Sequence, residues 1–256
     1  MKLILVMILL VAFAHNTWAT NQKEFIVVKN NRNYPPYEMM VSEKEATGIH
    51  MDLIKIIAKR LNVKLTILSV PWKRALLMVK LGEADAITYI GRSEERERWA
   101  WFNDKNILSS IRNGFFVLAS KKEDFDYHGD LRQLQGYRIG TILGYAYDSV
   151  FENATFLKKD AGAKDESALL RKLIYERFDV GIADVNMVRY FAKQLDYSKK
   201  IEILTPYLPL RHSYIAFSKA RSNKQFSEKF GEKLSEFKKT LKFREILYRY
   251  GIEYMY

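Results

Sequence analysis

Pro71-Trp72-Lys73-Arg74-Ala75-Leu76-Leu77-Met78-Val79-Lys80-Leu81-Gly82-Glu83-Ala84-Asp85-Ala86-Ile87-Thr88-Tyr89-Ile90-Gly91-Arg92-Ser93-Glu94-Glu95-Arg96 is the stretch whose reading decides the fold. Pro71 suits the start of a helix, where its missing N–H is not needed. Trp72, Ala75, Leu76 and Val79 recur at helical spacing and mark one apolar face. Gly82 supplies the permissive backbone that ends helices. Ala84 to Ile90 reads as a short strand of the buried, parallel kind. The chain turns at Gly91, and Ser93 caps a new helix with Glu94 and Glu95 in its first turn. Arg96 then stands about one turn into a helix that begins at the carboxyl end of a strand, the edge where open α/β sheets bind ligands. A guanidinium there suits a carboxylate.

Outward from this stretch the pattern repeats. Phe25-Ile26-Val27-Val28 is a strand that runs into Tyr34-Pro35-Pro36-Tyr37-Glu38, where two prolines forbid both helix and central strand. Tyr34 and Tyr37 are therefore held on a stiff loop at a strand end, as a wall for a ligand. Gly48 to Leu61 reads as a helix and Val63 to Val70 as a second strand. Gly114 to Ala119 is a further apolar strand. Tyr137 to Leu143 is a strand followed by a turn at Gly144 and Tyr145. Ser167 to Tyr175 is a helix, Asp179 to Asp184 a strand ending in an acid, and Asn186 to Leu195 the helix after it. Helix, short acidic turn and apolar strand thus occur once around Ala75–Ile87 and again around Ala168–Ile182, which predicts two α/β lobes of similar plan. The charged helices from Asn223 to Tyr250 belong with the first lobe. The chain then crosses between lobes twice, near residues 112–119 and 206–217, and two crossings make a hinge. The expected division is 1–19 as signal peptide, 20–115 with 208–256 as lobe 1, and 116–207 as lobe 2.

Composition narrows the function. Of 256 residues, 48% are hydrophobic, enough for a sizeable core. Lys2 followed by the apolar run Leu3–Ala14 and the small residue Ala19 has the pattern of an export signal, with cleavage after Ala19. The count of cysteines is 0, which excludes disulfides, thiolate metal sites and cysteine nucleophiles. A net charge of +12 would suit nucleic acid, but the basic residues are spread along helices and no nucleic-acid motif accompanies them. A soluble periplasmic protein is expected, with no nucleic-acid partner. No metal spacing, phosphate loop or nucleophilic triad is visible. His50, His128 and His212 lie in unrelated contexts and are expected at the surface.

In order and spacing these segments resemble the bacterial extracellular solute-binding proteins of family 3, the amino-acid-binding type. The resemblance runs from Phe25 to about Tyr250. It rests on Tyr34-Pro35-Pro36-Tyr37-Glu38, Gly48 with Asp52-Leu53, Trp72 with Gly82–Ile87, Ser93-Glu94-Glu95-Arg96, Gly140 with Gly144, and Asp179–Asp184. It implies the two-lobed type II periplasmic-binding-protein fold, with two crossover strands as hinge. It implies a monomer without cofactor or metal that delivers a small ligand, an amino acid or related carboxylate, to the permease of an ABC importer. It places the ligand's carboxylate on Arg96, its ammonium on Asp184, and its side chain between Tyr34 and Trp72. Tyr37, Tyr89, Gly91, Gly144 and Tyr145 complete the expected site.

The departures concern hydroxyls. Tyr89 and Gly91 stand where relatives carry hydroxyl or small residues, and Gly144-Tyr145-Ala146 replaces the usual Gly-Thr-Thr. An aromatic or otherwise unusual ligand would fit these changes. Two alternatives share the fold: a dehydratase acting on prephenate- or arogenate-like acids, with Glu38 or Asp184 as proton-transfer group, and a sensory protein presenting its ligand to a membrane receptor.

Overall fold

The computed structural model describes residues 22–42, 45–145 and 147–252. The expected signal peptide therefore lies outside the described residues. Among those described, no helix is long and apolar enough to cross a membrane.

The first lobe is built on a sheet in the order Lys64–Val70, Glu24–Asn30, Ala86–Ile90, Arg211–Ser218, Ala100–Trp101, with Ile107–Ile111 also pairing Arg211–Ser218. Its first pairings are parallel, in register from Glu24 opposite Lys64 to Asn30 opposite Val70. Arg211–Ser218 runs antiparallel to Ala86–Ile90. The second sheet has the order Lys158–Ala163, Arg138–Ile142, Val180–Asp184, Asn113–Leu118, Ile201–Ile203. Here too the first pairings are parallel and the fourth strand is antiparallel. The two lobes thus share one plan, as the repeated helix–strand pattern predicts.

Each crossing falls where one sheet hands the chain to the other. Ile107–Ile111 lies in the first sheet and Asn113–Leu118 in the second, so the outward crossing is at Arg112. The return runs through Pro209 and Leu210, between Leu208, whose N–H donates to Asn113 O at 2.9 Å, and Arg211 in the first sheet. A division after residue 115 would cut the strand Asn113–Leu118, all of which lies in the second sheet.

The opening stretch folds nearly as read. The helix is Trp72–Leu81, and Gly82 ends it in the left-handed conformation at φ 76°. The strand begins at Ala86 rather than Ala84. Asp85 lies just before it, its N–H donating to Ile26 O at 2.8 Å, and its buried carboxylate accepts from Ile26 N–H at 2.8 Å, from Arg221 Nε at 3.1 Å and from Ser222 Oγ at 3.2 Å. That carboxylate ties the C-terminal segment to the first sheet. The core beneath joins the same parts, with Phe25 stacked on Phe217 at 5.9 Å and in contact with Phe230 of the helix Lys224–Lys238. Thr240 caps a separate final helix, Leu241–Arg249.

Several strands escape a reading of the sequence. Lys158–Ala163 is largely exposed and carries charges and a glycine, so it has no apolar alternation to betray it. Ile107–Ile111 and Ile201–Ile203 are short and polar in part.

Removing the Asp85 carboxylate strips the Ile26 N–H and the buried Ser222 Oγ of their carboxylate acceptor as well as taking the partner of the partly exposed Arg221, and each buried group left unpaired costs about 1–3 kcal/mol. Asp85→Ala is expected to lower the unfolding free energy by about 3 kcal/mol, read from urea denaturation followed by tryptophan fluorescence.

Candidate functional site

The loop after the first strand projects two tyrosines toward the second lobe. It is folded on itself by Tyr34 N–H to Glu38 O at 2.7 Å and Tyr37 N–H to Tyr34 O at 2.8 Å. Asn30 Nδ2 donates to the Tyr34 hydroxyl at 3.1 Å. Arg32 lies over the Tyr34 ring, 5.5 Å from its centroid, and its guanidinium donates to Lys164 O of the second lobe at 3.3 Å. Tyr37 is fully buried. Its hydroxyl donates to Asp184 Oδ1 at 3.1 Å and accepts from Asn186 Nδ2 at 3.1 Å. The Tyr37 hydroxyl and the Asp184 carboxylate are thus the buried part of the contact between the lobes, which Arg32 extends at the surface.

Tyr89 lies beside them. Its ring centroid is 5.0 Å from that of Tyr34, 5.6 Å from Tyr37 and 5.3 Å from His50. Its backbone has φ 53°, left-handed for a residue with a Cβ, which is an unfavourable conformation that packing must sustain. The Tyr89 hydroxyl is enclosed and has no hydrogen-bond partner. Burial raises its pKa well above the ordinary phenol value, and the nearby Tyr145 and Asp184 add to the shift.

Asp184 ends the strand Val180–Asp184 and caps the helix Val185–Gln194, accepting from Met187 N–H at 2.9 Å. Only 1% of it is exposed, and Oδ2 has no hydrogen-bond partner among the described residues. Burial lifts its pKa from 3.8 to about 6, against the lowering effect of the Met187 and Tyr37 hydrogen bonds. Glu166, at the start of the helix Glu166–Ile174, is likewise buried, and burial raises its pKa while Arg32 lowers it. Tyr145 is electrostatically coupled to both carboxylates, and burial raises its pKa strongly.

Trp72, Gly91 and Arg96 form a second group. Arg96 Nη1 donates to Gly91 O at 2.7 Å, and its guanidinium lies 5.9 Å from the Trp72 ring centroid. One of its five N–H groups is thus fixed by backbone. The short helix that carries it, Glu94–Glu97, is capped by Ser93. Arg92 points elsewhere: its Nε donates to Glu97 Oε1 at 2.7 Å on the surface.

The structure brings Tyr34, Tyr37, Tyr89 and Asp184 together and sets Tyr145 within electrostatic reach of them. Gly144 is exposed at φ 71°. The helix after it starts only at Ser149, capped by Asp148, so Gly144 does not open a helix. Ala146 lies outside the described residues. His50 corrects an expectation: it is fully buried rather than at the surface, held by Glu38 Oε1 at 3.2 Å on Nδ1 and by Ser109 Oγ at 2.9 Å on Nε2. The run Ile49–Leu53 gives the signal, since His50 sits where a helix entering a core would place an apolar residue. Asn186, Arg32 and Glu166 have no such signal, because only the approach of the lobes gives them neighbours. Among the described residues no cluster of His, Asp and Glu is placed to hold a metal ion.

Two sheet-bearing lobes of one plan, joined by two crossings, meet around Asp184 and Tyr37. The chain belongs to the bacterial extracellular solute-binding proteins, family 3, whose model it matches over residues 26–253. It is 28% identical over 145 residues to the histidine-binding periplasmic protein of Escherichia coli (strain K12), a match covering 56% of this chain and 54% of that protein. It is 30% identical over 107 residues to the arginine-binding periplasmic protein of Mannheimia haemolytica, covering 41% and 43%. These matches span about half the length of the curated relatives. The second substrate-binding domain of a putative amino acid ABC transporter from Streptococcus pneumoniae Canada MDR_19A superposes with a TM-score of 0.70 at 21% identity, covering 89% of this chain and 99% of that one. The type II periplasmic-binding-protein fold is thereby shown.

A carboxyl that titrates near 6 in the folded protein and at 3.8 outside it contributes stability that is fully present below about 3.8. That contribution is lost as pH rises through about 6. The difference corresponds to about 3 kcal/mol. Asp184→Asn keeps a helix cap without the buried charge. It should raise stability at pH 7.5 and flatten the change between pH 4 and 7, measured by urea unfolding of ligand-free protein at both ends of that range.

Proposed function

We propose that this chain captures an amino acid in the cleft between its lobes and delivers it to the permease of an ABC importer. It does so in the periplasm, as a monomer, once its leader has been removed near Ala19. Binding involves no turnover. Arg96 receives the ligand's carboxylate and Asp184 its ammonium.

One observation carries the reading. Asp184 is a buried carboxylate with an oxygen that no group among the described residues satisfies, facing a lobe whose sheet edge holds an arginine. A lone buried anion is costly, and a cationic group completes it. Anion and cation on separate lobes make closure the act that binds a zwitterion, since neither lobe carries both charges. Tyr34, Tyr37 and Tyr89 present ring faces and edges against which a ligand side chain can pack. The curated relatives bind histidine and arginine, which puts these two first among ligands to try.

A thermal-shift screen of the twenty protein amino acids tests the proposal. A ligand present at 100 times its dissociation constant stabilises by about 2.7 kcal/mol, a shift of several degrees. Arg96→Ala should abolish that shift while leaving the ligand-free melting temperature nearly unchanged. Absence of any shift with the wild-type protein would overturn amino-acid binding.

A further inference from the structure

Asn113 is the first residue after the chain crosses into the second lobe. It is 2% exposed, and among the described residues neither its Oδ1 nor its Nδ2 has a hydrogen-bond partner. Buried side-chain amides are almost always satisfied, and leaving one unpaired costs free energy that something must offset. Its position suggests what completes it. The antiparallel register sets Asn113 directly opposite Asp184. Residues so paired project to the same face of the sheet with Cβ atoms about 4.5–5.5 Å apart. That face is turned to the first lobe, because Asp184 meets Tyr37 there. The next residue, Gly114, faces the other way, toward Val185, Tyr207 and Ile203. So the unpaired amide and the unpaired carboxylate oxygen stand side by side, looking into the cleft.

From this juxtaposition we infer that Asn113 binds the ligand's head group, its amide accepting from the ammonium and donating to the carboxylate of one α-amino acid. The inference rests on the amino-acid reading of the cleft and adds a residue to it. Asp184 alone offers one oxygen, since Oδ1 is held by Tyr37 and the Met187 N–H. A primary ammonium has three N–H groups. Asp184 Oδ2 and Asn113 Oδ1 take two of them, and the enclosed, unpartnered Tyr89 hydroxyl takes the third. Asn113 Nδ2 then points at the one acceptor that lies beside an α-ammonium, the carboxylate on the same carbon. An acceptor-only side chain at this position would hold the ammonium and repel the carboxylate. The amide therefore selects the zwitterionic pair over an amine or an acid alone. It also discriminates against N-methylated forms, which cannot fill three acceptors.

Asn113→Leu and Asn113→Asp test this by isothermal titration calorimetry. The titrants are L-histidine and L-arginine with their decarboxylated forms, histamine and agmatine, together with any other amino acid that stabilises the wild type. Asn113→Leu should weaken amino-acid binding about 10- to 100-fold, the worth of buried hydrogen bonds lost. It should also leave the ligand-free melting temperature equal or higher, because an unpaired amide has been removed. Asn113→Asp should weaken the amino acid but tighten the decarboxylated amine. Binding within about twofold of wild type in both variants, or equal weakening of amine and amino acid by Asn113→Asp, overturns the inference. If Asn113→Leu does not fold, Asn113→Asp decides alone. If no amino acid binds the wild type, the amino-acid reading fails, and histamine and agmatine then judge Asn113. A shift with these amines that Asn113→Asp enlarges keeps its ammonium-facing half, and no shift overturns it.

Discussion

Each sheet is completed by a strand that has just come from the other lobe. Asn113–Leu118 arrives from the first lobe and pairs antiparallel with Val180–Asp184, and Arg211–Ser218 arrives from the second and pairs antiparallel with Ala86–Ile90. Neither sheet can close without a crossing, so the crossings are fixed at both ends by ladder hydrogen bonds. The linkers between them are only Arg112 and the pair Pro209–Leu210. Backbone bonds brace the place: Val185 N–H donates to Arg112 O, and Leu208 N–H to Asn113 O, each at 2.9 Å. The hinge is thus narrow, and the cleft residues are carried on rigid strands beside it.

The electrostatics of the cleft follow from that placement. Asp184 ends a strand that pairs with a crossing strand, so it is buried where the lobes meet. Burial raises its pKa to about 6 while four hydrogen bonds restrain the rise. The Tyr37 hydroxyl, itself positioned by Asn186, spans the gap to it. Tyr89 contributes a ring to the same cluster from a strained backbone position, where its hydroxyl finds no partner among the described residues. Unpaired buried polar atoms gather here: Asp184 Oδ2, both polar atoms of Asn113 and the Tyr89 hydroxyl. A ligand that brings its own donors and acceptors removes that cost, so binding and closure are coupled by desolvation as well as by charge.

Much of the fold was legible because it depends on local pattern. Apolar spacing located the helices Ile49–Arg60 and Trp72–Leu81 to within a residue or two, and glycine and proline marked their ends. Ser93 and Asp184 were readable as helix caps, and both accept backbone N–H bonds. The edge strand Lys158–Ala163 was not legible, since an exposed edge needs no alternation. His50 misled because a buried histidine is stabilised by Glu38 and Ser109, which are far away in sequence.

The sequence by itself determined the two-lobed plan, the repeated helix–strand unit, and the residue types at the sheet edges, Arg96 and Asp184 among them. These are properties of short segments, set by periodicity, capping and backbone permission. Only the tertiary structure decided that Asp184 is held by Tyr37 from the opposite lobe, that Arg92 turns to the surface while Arg96 lies by Trp72, and that Asn113 stands unpaired beside Asp184. Those facts depend on strand register and on the meeting of lobes, where groups distant in sequence share one volume, and no local pattern encodes which of them will be left without a partner.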